Sequence, residues 1–341
     1  MKAAVFLFIA LVGFATAGPL QGRGRLYFPE EEDPNRIEYF YWEDDEGLVH
    51  REDLVGAVNE RKADISDVTI YLYTKSNPSA PETIKPADFS TMTSSKYYKS
   101  SRKNVVITHG WKNSHESPVN TLIRSALLKK HDVNVFVVDW HEPASKNYIS
   151  AHGSVRDVGT IVGNFINKLM TQYGLTGKNF NLIGHSLGAH ISGCAGAAMK
   201  TKADYIIGLD PALPLFSMGN TDNRIDPSDA QFVQIIHTNA GLLGFSSSIG
   251  HADYYPNGGK KQIGCGADLT GTCSHSRSYM YLAESIQNSG FTSHLCNNFG
   301  DYDKGKCSGN HKSFLGKFTI DRTASGDYFL ATKEKEPFSL G

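Results

Sequence analysis

The chain has 341 residues, of which 40% are hydrophobic and 20% are charged, the composition of an ordinary globular protein. This length accommodates one large α/β domain or two smaller ones. The formal net charge of −1 provides no electrostatic basis for binding nucleic acid, so we expect no nucleic-acid partner.

The first 17 residues have the pattern of a secretory signal peptide. Lys2 precedes an apolar run over residues 3–12, and small residues at Ala15 and Ala17 suit a cleavage site. The apolar run is too short to span a bilayer. We therefore expect a secreted, extracellular protein whose mature chain begins at about residue 18.

Residues 18–66 differ in character from the rest of the chain. Between residues 28 and 46, nine acidic side chains oppose one basic side chain, and the aromatic run Tyr39-Phe40-Tyr41-Trp42 lies among them. This composition predicts a solvated acidic extension that packs partly on the domain through its aromatic rings. A removable prosegment is the alternative. We expect the extension to stay attached, because no dibasic site lies between Gly18 and Arg61.

From residue 67 onwards the pattern alternates between strands and helices. An alternating outer strand and five short, β-rich runs typical of buried parallel strands are predicted at residues 68–74, 104–108, 133–139, 180–183, 205–209 and 232–236. Helical patterns separate them at residues 119–129, 157–173 and 187–199. The sequence therefore predicts one α/β domain over residues 67–341, with a mostly parallel central sheet covered by helices on both faces. Ligands bind such sheets at the carboxyl ends of the strands.

The run over residues 179–198 predicts a strand, a sharp turn and a helix around Gly184-His185-Ser186-Leu187-Gly188. Such a turn strains the serine backbone, which only small neighbouring residues tolerate. The Leu187 amide at the helix N-terminus has no partner within the helix and provides half of an oxyanion hole. The pentapeptide alone is a weak signal in a chain with 33 glycines, but its strand and helix context favours a nucleophilic Ser186.

The second half of an oxyanion hole should follow another strand. His109-Gly110-Trp111 directly follows the predicted strand 104–108, and Gly110 permits a tight turn. This turn would direct the Trp111 amide towards the point that the Leu187 amide faces.

A nucleophilic serine requires a base that an acid orients. Asp210 ends the strand 205–209 before a proline and is the first acid so placed after Ser186. Five histidines follow Ser186, namely His237, His251, His275, His294 and His311. His275 precedes a predicted helix at residues 279–284, and His251 lies in a glycine-bounded loop. Spacing alone does not separate these two candidates.

Five cysteines in a chain with a signal peptide predict disulfide bonds. Proximity in the sequence favours Cys265 with Cys273 and Cys296 with Cys307, although four cysteines allow two other pairings. Cys194 remains as a buried free thiol on the apolar helix after Ser186.

Four motifs occur in a fixed order: Gly184-His-Ser-Leu-Gly-Ala-His190, Gly208-Leu-Asp-Pro-Ala212, Gly250-His-Ala-Asp-Tyr-Tyr-Pro-Asn-Gly-Gly259 and Cys273-Ser-His-Ser-Arg-Ser278. Together they resemble the pancreatic lipase family, in particular its insect secreted lipases and phospholipases A1, over about residues 67–341. The resemblance implies an α/β-hydrolase fold with Ser186 as nucleophile, Asp210 as acid and His275 as base. It also implies that the Trp111 and Leu187 amides bind the oxyanion and that His251 is structural.

The resemblance further implies a calcium-binding loop after the acid. Residues 223–229 are similar to it, with carboxylates from Asp226 and Asp229 and backbone carbonyls from Thr221 and Arg224. All four are oxygen ligands, as calcium requires. A metal-free polar turn capped by Asp226 is the alternative. A structural calcium ion is therefore the one cofactor considered, and no cofactor is required for catalysis.

The chain departs from the family pattern in two places. It ends at Gly341, so we expect neither the C-terminal β-sandwich found in members with a protein cofactor nor such a cofactor. Only residues 266–272 separate Cys265 from Cys273, where triglyceride lipases have a long lid, and the loop 239–249 is also brief. These short loops predict an open, lightly shielded site.

The sequence thus predicts a secreted carboxylic ester hydrolase that cleaves fatty-acyl esters of lipids at membranes, micelles or droplets. Short loops favour phospholipids and dispersed short-chain esters over long-chain triglyceride, as in phospholipase A1, while a general neutral lipase is the alternative specificity. A different class is a lipid-binding or yolk-type storage protein on the same fold without significant catalysis. The intact set of Ser186, Asp210 and His275 favours the enzyme.

Overall fold

The computed structural model describes residues 37–44, 46–55, 62–288 and 290–341. The predicted signal peptide and residues 18–36 of the predicted extension lie outside the described residues. The remainder of the extension contains a two-stranded hairpin, and the residues that follow it form the domain.

The described residues contain thirteen strands and seven α-helices. The strands are β1 (Tyr39–Glu43), β2 (Val49–Asp53), β3 (Thr69–Tyr73), β4 (Glu82–Ile84), β5 (Asn104–Thr108), β6 (Asn134–Asp139), β7 (Phe180–His185), β8 (Tyr205–Leu209), β9 (Val233–Ile236), β10 (Ala252–Pro256), β11 (Thr292–Leu295), β12 (Lys312–Phe314) and β13 (Gly326–Leu330). The helices are α1 (Ser90–Thr93), α2 (Pro118–Lys130), α3 (His141–Ala144), α4 (Tyr148–Tyr173), α5 (Leu187–Ala198), α6 (Thr272–Gln287) and α7 (Phe299–Asp303).

Eleven of the described strands form one sheet in the order β12-β11-β13-β10-β9-β8-β7-β5-β6-β3-β4. The pairs from β13 through β10, β9, β8, β7 and β5 to β6 are all parallel. Antiparallel pairs occur at both ends, where β3 joins β6 and β11 joins β13. The predicted mostly parallel sheet is confirmed, and the alternating strand at 68–74 lies outside β6 as expected.

Helices cover both faces of this sheet because its central strands are apolar on both sides. In β5, Val106 packs into the core on one face, whereas Val105 and Ile107 pack into the core on the other. Helices α4 and α5 cover the first face, and α2 and α6 cover the second. This layering is that of an α/β-hydrolase fold.

Two helices begin earlier than their apolar patterns predict. Helix α4 begins at Tyr148 and not at residue 157, because the Asn147 side chain accepts a hydrogen bond from the Ser150 amide at 2.9 Å and caps it. Helix α6 begins at Thr272, because Asp268 accepts from the amides of Cys273 at 3.1 Å and Ser274 at 2.8 Å. The prediction that His275 precedes this helix is therefore wrong, because His275 is the fourth residue of α6.

The predicted disulfides Cys265–Cys273 and Cys296–Cys307 are both formed, and Cys194 is a buried free thiol. Burial raises the pKa of Cys194 to about 12. Within the described ranges, no helix combines the length and hydropathy needed to cross a membrane.

Candidate active site

Ser186 lies at the sharp turn between β7 and α5. Its backbone has φ 56° and ψ −126°, a conformation that residues other than glycine rarely adopt. The turn also brings backbones together, since a Cβ on Gly184 would lie 2.0 Å from the Gly188 carbonyl oxygen and one on Gly188 would lie 2.3 Å from that of Thr108. Close packing therefore requires glycine at both positions that flank Ser186.

Asp210 follows β8 directly, at the same edge of the sheet as Ser186. Its carboxylate is fully buried, and its Oδ1 accepts hydrogen bonds from the amides of Thr238 at 2.7 Å and Asn239 at 3.0 Å. Its Oδ2 accepts from Nδ1 of His275 at 2.5 Å. The carboxylate is thus held by two backbone amides while its second oxygen orients a histidine.

His275 reaches this carboxylate from helix α6, across a separation of 65 residues. Because Nδ1 donates to Asp210, the Nε2 atom of a neutral His275 ring is left unprotonated and can accept a proton. A second histidine supports this helix turn, since Nε2 of His185 donates to the His275 carbonyl oxygen at 3.2 Å. Burial and the neighbouring His275 hold the pKa of His185 well below its usual value, so His185 is neutral.

The rival histidine lies elsewhere. Nδ1 of His251 accepts a hydrogen bond from the Val233 amide at 2.9 Å, and its ring stacks on Phe232. His251 therefore ties β9 to the start of β10, which is the structural role that the resemblance implied. The structure brings Ser186, Asp210 and His275 together and leaves His251 apart from them.

The two proposed oxyanion amides belong to a residue next to Ser186 in the chain and to a residue that follows its spatial neighbour Gly110. Leu187 is the first residue of α5, and Trp111 follows Gly110 at the end of β5. Gly110 packs against the nucleophile, because a Cβ there would lie 2.9 Å from Cβ of Ser186. Among the described residues, neither the Leu187 amide nor the Trp111 amide has a hydrogen-bond partner. Unpaired backbone amides close to a nucleophile can donate to a developing oxyanion.

Ser186 and His275 open into one cleft of about 370 Å³. Aromatic side chains of Trp111, Tyr148 and Tyr279 line it, together with the aliphatic side chains of Val119 and Leu243. No hydrogen bond joins Ser186 Oγ to Nε2 of His275 in the described part of the chain, and such bonds are often long before substrate binds. The cleft thus places aromatic and aliphatic side chains beside the nucleophile and the base, an arrangement that suits an acyl group, and polar side chains share the lining.

Sequence reasoning missed the N-terminal hairpin as part of this site. Phe40, Trp42 and Glu43 of β1, with Asp44 and Glu46 of the turn, also line the cleft. The disulfide loop 266–272 is short as predicted, but the expectation of a lightly shielded site holds only in part, because the hairpin forms a wall there. The aromatic run at residues 39–42 was the sequence feature that could have indicated contact between the hairpin and the cleft.

A buried, hydrogen-bonded pair of His237 and Asp253 lies next to the residues that hold Asp210 and was also missed. His237 donates from Nε2 to Asp253 Oδ1 at 2.8 Å and from Nδ1 to the Phe245 carbonyl oxygen at 2.8 Å. Burial lowers the pKa of His237, but the hydrogen bond and charge of Asp253 outweigh burial, so the pKa is raised overall. His237 directly precedes Thr238 and Asn239, whose amides hold the Asp210 carboxylate.

The predicted calcium ligands lie together. Thr221, Arg224, Asp226 and Asp229 line one pocket of about 280 Å³ beside α5. The carboxylates are partly used by the backbone, since Asp229 Oδ2 accepts from the Asp226 amide and Asp226 Oδ1 accepts from the Ser228 amide. Burial raises the pKa of Asp229 to about 8, and a cation there would favour its ionised form. Among the residues that the structure describes, no group of three or more His, Cys, Asp or Glu side chains is placed to hold a metal ion, so the calcium site stays a prediction.

The strand order, together with a serine turn and an acid at the carboxyl ends of neighbouring strands, defines the α/β-hydrolase class of fold. Comparison with known proteins identifies the family within this class. A family model described as Lipase matches residues 43–338. Pancreatic lipase-related protein 2 of Bos taurus is 35% identical over 264 residues, which cover 71% of this chain and 56% of that protein. Lipase member H of Mus musculus is 36% identical over 249 residues, which cover 70% of this chain and 53% of that protein.

A third relative, of Canis lupus familiaris, is named inactive pancreatic lipase-related protein 1 and is 34% identical over 301 residues, covering 79% of this chain and 64% of that protein. The chain therefore belongs to the pancreatic lipase family. It spans little more than half the length of the first two relatives.

Proposed function

We propose that this protein is a carboxylic ester hydrolase that cleaves fatty-acyl esters of lipids through a covalent intermediate on Ser186. The observation that carries the proposal is the hydrogen bond to the buried Asp210 from His275, which lines the same cleft as Ser186. This geometry supports an enzyme over a lipid-binding or storage protein, because a binding protein has no need of an oriented base.

In the proposed reaction, Nε2 of His275 takes the hydroxyl proton of Ser186 while Oγ attacks the acyl carbonyl carbon. The amides of Leu187 and Trp111 bind the resulting oxyanion. His275 then gives its proton to the leaving alcohol as the ester C–O bond breaks. Water attacks the acyl-enzyme with His275 again as base, the bond between Oγ and the acyl carbon breaks, the fatty acid leaves, and His275 returns the proton to Ser186. Asp210 holds the ring in the required tautomer throughout.

The proposed substrate class is phospholipids and dispersed short-chain esters, cleaved faster than long-chain triglyceride. Support comes from the seven-residue disulfide loop and from polar side chains that share the cleft, including Glu43, Asn113 and Ser276. A short loop cannot bury the site until a lipid surface appears, so we expect no activation at an interface. The proposal needs no protein cofactor, and assays of the purified chain alone test this.

Two rate measurements test the substrate class. Fatty-acid release from phosphatidylcholine should be measurable, and the rate on a short-chain ester should saturate smoothly through its solubility limit. A Ser186→Ala variant should lose roughly 10⁴-fold in turnover on both substrates. A steep jump at the solubility limit with no phospholipid cleavage contradicts the substrate class, whereas equal rates for parent and variant contradict the mechanism.

We also propose that carboxylates of Asp226 and Asp229, with carbonyls of Thr221 and Arg224, hold a structural calcium ion. The ion would fix the loop 221–229 against α5 and take no part in ester chemistry. Adding calcium after chelation should raise the melting temperature of the parent protein, with magnesium as the control cation. An equal melting temperature in calcium and in chelator, or an equal rise in Asp226→Asn, contradicts the site.

Secretion is proposed from the sequence of residues 1–17, and the two disulfides support an oxidising compartment. The intact mass of protein recovered from medium should correspond to a chain that begins at about residue 18. A chain that begins near residue 60 would contradict our expectation that the extension stays attached.

A further inference from the structure

The hairpin β1–β2 is a separate two-stranded sheet, and residues of β1 and of its turn line the cleft. Successive side chains of a strand point to opposite faces, so Phe40 and Trp42 share one face of β1 and Tyr41 lies on the other. On the first face, the Phe40 ring centroid lies 5.7 Å from that of Trp111 and 5.1 Å from that of Tyr148. The Trp42 ring lies 5.0 Å from Trp111. The hairpin thus packs on the aromatic side of the cleft.

Polar contacts fix the hairpin at two separate places on the domain. The Tyr148 amide at the start of α4 donates to Glu52 Oε1 at 2.5 Å, and the Glu43 amide donates to Oγ1 of Thr272 at the start of α6 at 3.1 Å. Within the hairpin, Trp42 stacks on His50 with 4.7 Å between ring centroids. The hairpin therefore bridges the N-termini of two helices with its aromatic face held in one orientation.

The hairpin contributes more of the cleft wall than the disulfide loop does. Among the described residues of that loop, Thr272 alone lines the cleft, whereas β1 and its turn contribute two aromatic residues, Phe40 and Trp42, and the three acidic residues Glu43, Asp44 and Glu46. Phe40 is 6% exposed and packs between domain rings, while Trp42 is partly exposed. Rigid aromatic side chains at the edge of a cleft provide contact area for hydrocarbon with little loss of conformational entropy.

We propose that the N-terminal hairpin is the acyl-chain wall of the active site, with Phe40 and Trp42 as the side chains that favour longer acyl groups. This inference rests on the proposed ester hydrolysis and assigns to the hairpin a contact surface that the short disulfide loop does not supply. A short acyl group ends near Ser186, whereas a longer one extends along the wall. Removing the wall therefore affects long-chain substrates selectively.

The test compares kcat/KM on p-nitrophenyl butyrate and p-nitrophenyl palmitate, both dispersed in the same detergent. Trp42→Ala should lower the ratio of palmitate to butyrate rates about tenfold, the effect expected when apolar contact with a substrate is lost. Trp42→Phe should give an intermediate ratio. Tyr41→Ala is the matched control, because it removes a partly buried aromatic ring from the opposite face of the same strand and should leave the ratio within twofold of the parent.

Melting curves of all variants establish that the domain is folded. If folded Trp42→Ala keeps the parent ratio, or loses both rates equally, the hairpin does not select the acyl chain and the inference is wrong. An equal fall of the ratio in Tyr41→Ala also overturns it, because the effect would then be general to the hairpin. If the parent protein hydrolyses neither ester, the proposed function fails instead.

Discussion

Replacing Asp210 by asparagine tests how the acid orients the base. The retained carbonyl oxygen can still accept from the Thr238 and Asn239 amides, which now bind Oδ1 at 2.7 and 3.0 Å. The new NH₂ group then faces Nδ1 of His275, where a carboxylate oxygen accepts at 2.5 Å. An amide donor in this position requires an unprotonated Nδ1. The ring therefore carries its proton on Nε2 and can no longer act as a base for Ser186.

The wrong tautomer should lower kcat on a soluble short-chain ester by about 10⁴-fold, as comparable changes do in serine hydrolases. This loss corresponds to roughly 5 kcal/mol of transition-state stabilisation. Stability should change little, because the buried position keeps a group of the same shape and two of its hydrogen bonds. Stopped assays at high enzyme concentration, with thermal unfolding of the same samples, measure both quantities.

Asp204→Asn is the matched control, since Asp204 directly precedes β8 at its amino end whereas Asp210 directly follows it at the carboxyl end. Asp204 accepts from Lys103 Nζ at 2.8 Å near the surface, and such pairs contribute about 1 kcal/mol or less. The Asp204→Asn variant should have the kcat of the parent protein. If Asp210→Asn keeps activity within tenfold of the parent while folded, Asp210 does not orient the base and the reasoning is refuted.

Two further predictions concern packing and pH. Gly188→Ala should lower the free energy of unfolding by about 1–3 kcal/mol, because its Cβ would lie 2.3 Å from the Thr108 carbonyl oxygen. The melting temperature and kcat should both fall. Parent-like values of both would contradict the close approach. Asp253→Asn should cost about 3 kcal/mol of unfolding free energy at pH 7 by leaving buried His237 without its carboxylate. Because the folded pKa of His237 is raised, the pair stabilises the fold fully below about pH 6.5 and loses this effect as pH rises through the folded pKa. Urea unfolding from pH 6 to 9 should therefore show a fall in the parent that the variant lacks, and equal slopes would count against the charged pair.

Local patterns were sufficient for the central strands and the serine turn. The predicted strand 104–108 coincides with β5. All five of its residues are buried, as expected of a central strand that is covered on both faces. Ser186 and Asp210 follow from the ends of such strands, since the carboxyl ends of parallel strands share one edge. Glycine spacing around Ser186 reflects contacts within a few residues, and these are readable from the sequence.

Long-range contacts determined what the sequence left open. The choice between His251 and His275 depends on how α6 packs, and α6 itself begins with residues of modest helix propensity that Asp268 caps. The role of the hairpin depends on rings of Phe40 and Trp42 meeting Trp111, about 70 residues further along the chain. No period of 2 or 3.6 residues encodes such a contact.

The central claim is that Ser186 is an activated nucleophile in the folded protein. An alkyl phosphonate that carries a good leaving group should react with it covalently, because the oxyanion amides and His275 act on phosphorus as on an acyl carbonyl. Peptide mass spectrometry should then find one adduct on the peptide that contains Ser186, absent from Ser186→Ala and strongly slowed in Asp210→Asn. A folded parent protein that forms no adduct, or forms it equally in Ser186→Ala, would contradict the account.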